Sequence, residues 1–215
     1  MILVTLHGMV IKIYNNFLVN LMTVLVVGSG GNGQTHFMNF LKNNNVKINH
    51  DGDSDKLKHL STPKVDLLKD VKKCIFIYND PYKSILSHFR RKWQHLQIKK
   101  LGNPYKLKSN DIININSYLR LVMSKRIDLF GIKNQFDNWI KCKLDFPILF
   151  LDFNEVLEKK ELLNKFLGID LNYDSFEIKE RESKIIKNDV VISFYNEIYS
   201  YFKEKSIEHN NLNKY

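Results

Sequence analysis

Alanine is absent from all 215 residues, and arginine is scarce: Arg90, Arg91, Arg120, Arg126 and Arg181 are the only five among 33 basic residues. Lysine, asparagine and isoleucine fill the space. One cause accounts for these biases together, because AT-rich codons specify Lys, Asn and Ile and disfavour Ala and Arg. The net charge of +10 therefore reflects coding bias before it reflects an anionic macromolecule, and nucleic acid is not the expected partner. AT-rich genomes of this kind are carried by large DNA viruses and protists.

Cysteine is reduced to Cys74 and Cys142. They lie far apart and lack metal-ligand spacing, which argues against a disulfide framework or a zinc site. Both read as reduced core thiols in a reducing compartment, the cytoplasm, or the host cytoplasm if the gene is viral. No bilayer-spanning run is present either. Residues 17–27 are largely apolar, but Asn20 and Thr23 interrupt them, and neither a basic n-region nor a small-residue cleavage site frames them. Repeats and low-complexity linkers are also missing, so one domain is expected over 22–206. Residues 1–21 form an N-terminal extension or an added strand, and 207–215 a frayed polar tail. The oligomeric state is not legible.

What is present is ordinary for a globular chain, with 44% hydrophobic and 26% charged residues. Apolar patterning alternates between strand and helix, which predicts an α/β domain of three layers with a central, mainly parallel sheet flanked by helices. Strands are expected at 23–28, more weakly at 46–49, at 74–78 and at 147–151. One helix follows the glycines to about Leu41. A second carries Ile85, Leu86, Phe89, Trp93 and Leu96 at helical spacing until Gly102-Asn103-Pro104 ends it. Further helices are read through Leu119 to Ile127, around Phe136 and Trp139, from Glu155 to Leu167 with Asn154 as N-cap, and over 189–204.

The segment Val24-Leu-Val-Val-Gly28-Ser-Gly30-Gly31-Asn32-Gly33-Gln34-Thr35 carries the most information. A buried strand ends in four glycines and opens a helix. That arrangement leaves backbone N–H groups at a helix N-terminus able to hold a phosphate. Gly28-x-Gly30-x-x-Gly33 fits a dinucleotide fingerprint, with Asp51 or Asp53 near the place of a ribose-binding acid. It also fits a nucleoside-triphosphate loop, except that Gln34 stands where the phosphate lysine belongs, which makes an active NTPase or kinase unexpected.

A third reading uses more of the chain. Val27 to Phe37, followed by Ile77-Tyr-Asn79-Asp-Pro81-Tyr-Lys-Ser-Ile-Leu-Ser87, resembles the sulfotransferase family. Members of that family pair a strand–loop–helix for the 5′-phosphosulfate with a strand ending in Arg-Asn-Pro and a helix serine six residues past the proline. Gln135-Phe136-x-x-Trp139, Pro147 to Glu155 and Phe166-Leu167-Gly168 are similar to its later elements, so the resemblance spans about residues 23–170. It implies a P-loop-type fold and sulfuryl transfer from 3′-phosphoadenosine 5′-phosphosulfate to a hydroxyl acceptor, without a metal. Gly30, Gly31, Asn32, Gly33, Gln34 and Thr35 would hold the 5′ end, and Asn79, Ser87 and Arg91 the 3′-phosphate.

The departures are specific. Gly31 corresponds to the family's loop lysine and Asn79 to its 3′-phosphate arginine, so the two principal cations of the donor site are gone. The resemblance therefore also admits a catalytically degenerate scaffold that binds a nucleotide or a protein partner. Restoring the charges with Gly31→Lys and Asn79→Arg is expected to tighten nucleotide binding. Arg90, Arg91 and Arg181 are the candidate substitutes. His59 is the candidate general base, ahead of His50, because it lies between the two phosphate elements. Asp51, Asp53 and Asp55 read as a solvated turn, Trp93 and Phe89 as core, and Asp152 and Glu155 as residues that orient loops.

Overall fold

The computed structural model describes residues 23–178 and 188–213. The N-terminal extension and Arg181 lie outside the described residues, as does the end of the tail. Three strands, β1 (Thr23–Val27), β2 (Val71–Tyr78) and β3 (Ile148–Asp152), form a parallel sheet in the order β1-β2-β3. Val27 pairs with Phe76, and Phe76 with Phe150. The weak strand expected at 46–49 contracts to a single parallel bridge from Ile48 to Val24, on the free side of β1.

Among the described residues seven α-helices accompany the sheet: α1 (Gln34–Asn43), α2 (Pro81–Arg90), α3 (Gln94–Lys100), α4 (Ile115–Lys125), α5 (Ile132–Ile140), α6 (Lys160–Leu167) and α7 (Asp189–Leu212). Alternate strand residues point to opposite faces. Leu25, Val27, Phe76, Ile148 and Phe150 therefore enter one core with residues of α2–α5 and α7. Val24, Val26, Ile75, Ile77, Leu149 and Leu151 enter the other with α1 and α6. Burial on both faces explains why these strands read as unbroken apolar runs.

Two asparagines close the sheet edges. The Asn210 side chain of α7 accepts from the Phe150 N–H at 3.1 Å and donates to the Phe150 carbonyl at 2.8 Å. On the other side Asn49 does the same for Val26, at 2.7 and 3.2 Å. Each amide stands in for one residue of a neighbouring strand and satisfies backbone groups that would otherwise be open.

Four elements differ from the sequence reading. The helix expected through Leu96 breaks after Arg90. Trp93 N–H reaches back to the His88 carbonyl and Lys92 N–H to that of Phe89, with Lys92 left-handed at φ 58°. That pairing is a Schellman ending built on lysine instead of glycine, so no glycine marks it in the sequence. β2 starts three residues early, since Lys73 covers its charge by donating to the Phe166 and Leu167 carbonyls at the end of α6. Asn154 does not cap a long helix. Residues 153–155 form a 3-10 turn capped by Asp152, and α6 begins only at Lys160. Finally, α7 continues through 207–212, where a frayed tail was expected, because Asn210 is committed to β3.

Candidate functional site

The chain leaves β1 for Ile48 on one side and returns to β2 on the other. That reversal opens a crevice beyond the carboxyl ends of β1 and β2, the place where open α/β sheets receive ligands. Into it project the glycine loop after β1, Asn79 after β2, and Phe153-Asn154 after β3. A cavity of about 1080 Å³ occupies the crevice.

The glycines are required by close approaches. A Cβ on Gly28 would lie 2.3 Å from the Ile77 carbonyl oxygen, and one on Gly31 2.7 Å from that of Ser84 in α2. Gly31 is also left-handed, at φ 71°. A lysine at this position is therefore excluded by the backbone, and the expected gain from Gly31→Lys is withdrawn.

Asn32 turns inward. Its Nδ2 donates to the Ile77 carbonyl at 2.8 Å, and its Oδ1 accepts from the Gln34 N–H at 3.2 Å. One loop amide is thus consumed internally. The N–H groups of Gly31, Asn32, Gly33 and Thr35 donate to no acceptor among the described residues. Gln34 lies in the wall, its Nε2 donating to the Val26 and Lys58 carbonyls at 3.1 and 2.9 Å.

Of the residues singled out in the sequence, Gly30, Gly31, Gly33, Gln34 and Thr35 line the cavity from β1, and Asn79, Ser87 and Arg91 from β2 and α2. His59 lines it as well, whereas buried Asn32 does not. Arg91 donates from Nη2 to Ser87 Oγ at 2.7 Å, so cation and hydroxyl form one unit on α2. Asn79 Oδ1 accepts from Asn154 Nδ2 at 2.7 Å. Asp51 pairs with Lys42 at 2.9 Å, and Asp53 with Lys100. Asp55 accepts from the His50 and Leu57 amides. No acidic cluster able to hold a metal occurs among the described residues.

His59 Nδ1 lies 2.9 Å from the Gly28 carbonyl. A carbonyl only accepts, so Nδ1 carries the proton and Nε2 the lone pair. Burial holds its pKa down to about 4, which makes it a weak base and a good strut for the loop. His88, beside Gly31, is driven lower still, to about 3, by burial and by the Arg91 charge. Both of its ring nitrogens are buried, and neither has a hydrogen-bond partner among the described residues.

Several lining residues escaped the sequence reading. Lys58 comes from an irregular segment and sends its Nζ to Thr35 Oγ1 at 2.8 Å. The α5 helix fixes that segment, since Trp139 Nε1 and Gln135 Nε2 both donate to the Leu60 carbonyl, at 2.8 and 3.0 Å. Trp93, expected in the core, and Leu96, expected on the same helical stripe, are 52% and 53% exposed and line the cavity. The left-handed turn at Lys92 carries them out of the apolar stripe, and the Arg91 guanidinium lies 4.9 Å from the Trp93 ring centre. His88, Gln97 and Lys100 complete this wall. Only the Lys-His pair between the phosphate elements offered a sequence signal, and it is a weak one.

No protein-family model, curated protein or solved structure matches the chain. No helix among the described residues is long and apolar enough to cross a membrane.

Proposed function

We propose that the cleft binds a phosphorylated adenosine nucleotide of the 3′-phosphoadenosine 5′-phosphate kind, and that the chain is a sulfotransferase-like protein on a P-loop-type scaffold. One observation carries the reading: two stations suited to oxyanions open onto one cavity. The first is the glycine loop with Thr35, and the second is Ser87 with Arg91. Two such stations fit a ligand phosphorylated at both ends better than they fit a lone phosphate. The half-exposed Trp93 and Leu96 supply an apolar wall for a base.

In the reaction, a hydroxyl oxygen of the acceptor bonds to sulfur while the bridging bond from sulfur to the phosphate oxygen breaks. The hydroxyl proton leaves to a base, for which His59 Nε2 is the candidate. The leaving oxygen develops negative charge, and a preorganised donor there contributes on the order of 10²–10³ in rate. Neither Gly31 nor Asn79 supplies such a charge. A binding protein that turns over slowly, or not at all, is therefore the second form of the same reading. A dinucleotide site is disfavoured, since the Asp51 and Asp53 carboxylates are engaged by Lys42 and Lys100.

Calorimetry with 3′-phosphoadenosine 5′-phosphate, ATP and NAD tests the proposal, followed by transfer of labelled sulfuryl to a panel of hydroxyl acceptors. Preference for the 3′-phosphorylated nucleotide is expected. Equal or tighter binding of NAD or ATP would overturn it.

A further inference from the structure

The loop lacks a lysine, yet a lysine stands at the loop. Lys58 is only 6% exposed, and its Nζ donates to Thr35 Oγ1 and to the Asp51 carbonyl oxygen. An ammonium has three N–H bonds to give, and the third reaches no acceptor among the described residues. No carboxylate among the described residues forms an ion pair with it. The nearby Asp51 and Asp53 carboxylates are held by Lys42 and Lys100. Buried charges in proteins are almost always paired. Lys58 is thus a buried cation that no carboxylate among the described residues contacts, the Asp51 and Asp53 charges reaching it only through space, and it faces the cavity beside loop amides that also lack acceptors.

We infer that Lys58 is the anion-contacting cation of this site, delivered from the segment between the bridge at Ile48 and β2 instead of from the glycine loop. The inference rests on the phosphate reading of the cleft and adds the residue that neutralises the bound anion. The segment is built to hold it. The Lys58 carbonyl accepts from the Gly28 N–H at 3.1 Å and from Gln34 Nε2 at 2.9 Å. Its N–H donates to Asp53 Oδ1 at 3.0 Å, and neighbouring His59 is tied to the Gly28 carbonyl. Backbone and side chain of Lys58 are therefore fastened to both ends of the loop. Gln34 gives its amide to this bracing, which accounts for a glutamine at the position where a phosphate lysine would point into the ligand. Gly31, pressed on Ser84, can carry no side chain, so the charge has to come from outside the loop.

Two measurements test the assignment. Calorimetry compares binding of 3′-phosphoadenosine 5′-phosphate and of pyrophosphate by the unaltered chain, Lys58→Gln and Lys58→Arg. Gln keeps hydrogen-bonding capacity near Thr35 and removes the charge, and Arg keeps the charge. Lys58→Gln is expected to lose about 10- to 100-fold in affinity for both probes, and Lys58→Arg much less. Binding by the unaltered chain that Lys58→Gln leaves within about threefold would overturn the role of Lys58 alone. No binding of either probe by the unaltered chain would overturn the reading of the cleft and this inference with it. A crystal structure of the unaltered chain with bound 3′-phosphoadenosine 5′-phosphate needs no variant. Lys58 Nζ within about 3 Å of a ligand oxygen supports the assignment, and a ligand seated beyond reach of Nζ overturns it.

Discussion

Lys58 Nζ and Thr35 Oγ1 lie 2.8 Å apart although 23 residues separate them. The contact joins the first turn of α1 to a segment with no regular structure. It depends on α5, whose Trp139 and Gln135 both grip Leu60 two residues further on. A cation on a flexible four-carbon stem is useful to an anion only when its approach is fixed. Here burial and three backbone tethers fix it, so the loop, the segment 57–60 and α5 act as one unit.

Gly31 provides the sharpest test of the loop geometry. Gly31→Ala combines a left-handed backbone with a Cβ 2.7 Å from the Ser84 oxygen, and should destabilise by about 2 kcal/mol or more. Gly102→Ala is the control: φ is 86°, but the nearest atom, Ser61 Oγ, is 3.7 Å away. It should cost only about 1 kcal/mol. Urea unfolding measures both. Equal losses would mean that α2 does not press on the loop as described.

Acid should loosen the site through its two buried histidines. Folding lowers the pKa of His59 to about 4 and of His88 to about 3, chiefly by burial. The unfolded chain takes up these protons below about pH 6.5, whereas the folded chain does not. Their contribution is therefore fully present above pH 6.5 and is lost as pH falls toward 4, by on the order of 2 kcal/mol for each histidine. Urea titrations at pH 7, 5.5 and 4 should trace that fall, and His59→Gln and His88→Gln should each flatten it. A slope that neither substitution changes would assign the acid sensitivity elsewhere.

Trp93 offers a direct optical readout. The chain has two tryptophans, and Trp139 is fully buried while Trp93 is half exposed at the cavity. Adding 3′-phosphoadenosine 5′-phosphate should quench Trp93 emission, whereas pyrophosphate should leave it nearly unchanged. Stacking of one base contributes about 1–3 kcal/mol, so Trp93→Ala should weaken the nucleotide at least about fivefold and spare pyrophosphate. Equal weakening of both probes would show that Trp93 acts through Arg91 instead of through a base.

The Asn210 clamp predicts a stability effect far from the cleft. Asn210→Ala leaves the N–H and C=O of Phe150 without the partners they have now. Each unsatisfied buried group costs about 1–3 kcal/mol, so a loss of at least about 2 kcal/mol is expected in urea unfolding. The neighbouring substitution Asn213→Ala removes only an exposed bond to His209 and should be nearly silent. A silent Asn210→Ala would mean that water takes over the β3 edge.

By itself the sequence determined the parts whose physics is local. Runs such as Val24–Val27 and Ile75–Ile77 are buried on both faces, so their composition alone marks strands of a parallel sheet covered on both sides. The glycine loop was legible because a strand closing on four glycines before a helix leaves few other geometries. Three things were decided only in three dimensions. The helix break at Lys92 depends on hydrogen bonds to His88 and Phe89 that any residue type can make, so Trp93 kept the spacing of a core residue while leaving the core. The extension of α7 past 204 depends on Asn210 meeting an edge 60 residues away in the chain. The buried cation at the glycine loop depends on α5 drawing residues 57–60 across β1, a contact between irregular backbone and a distant helix that leaves no periodic trace. Local sequence sets which backbone shapes are cheap, and tertiary packing chooses which charge faces the cleft with no carboxylate in contact among the described residues.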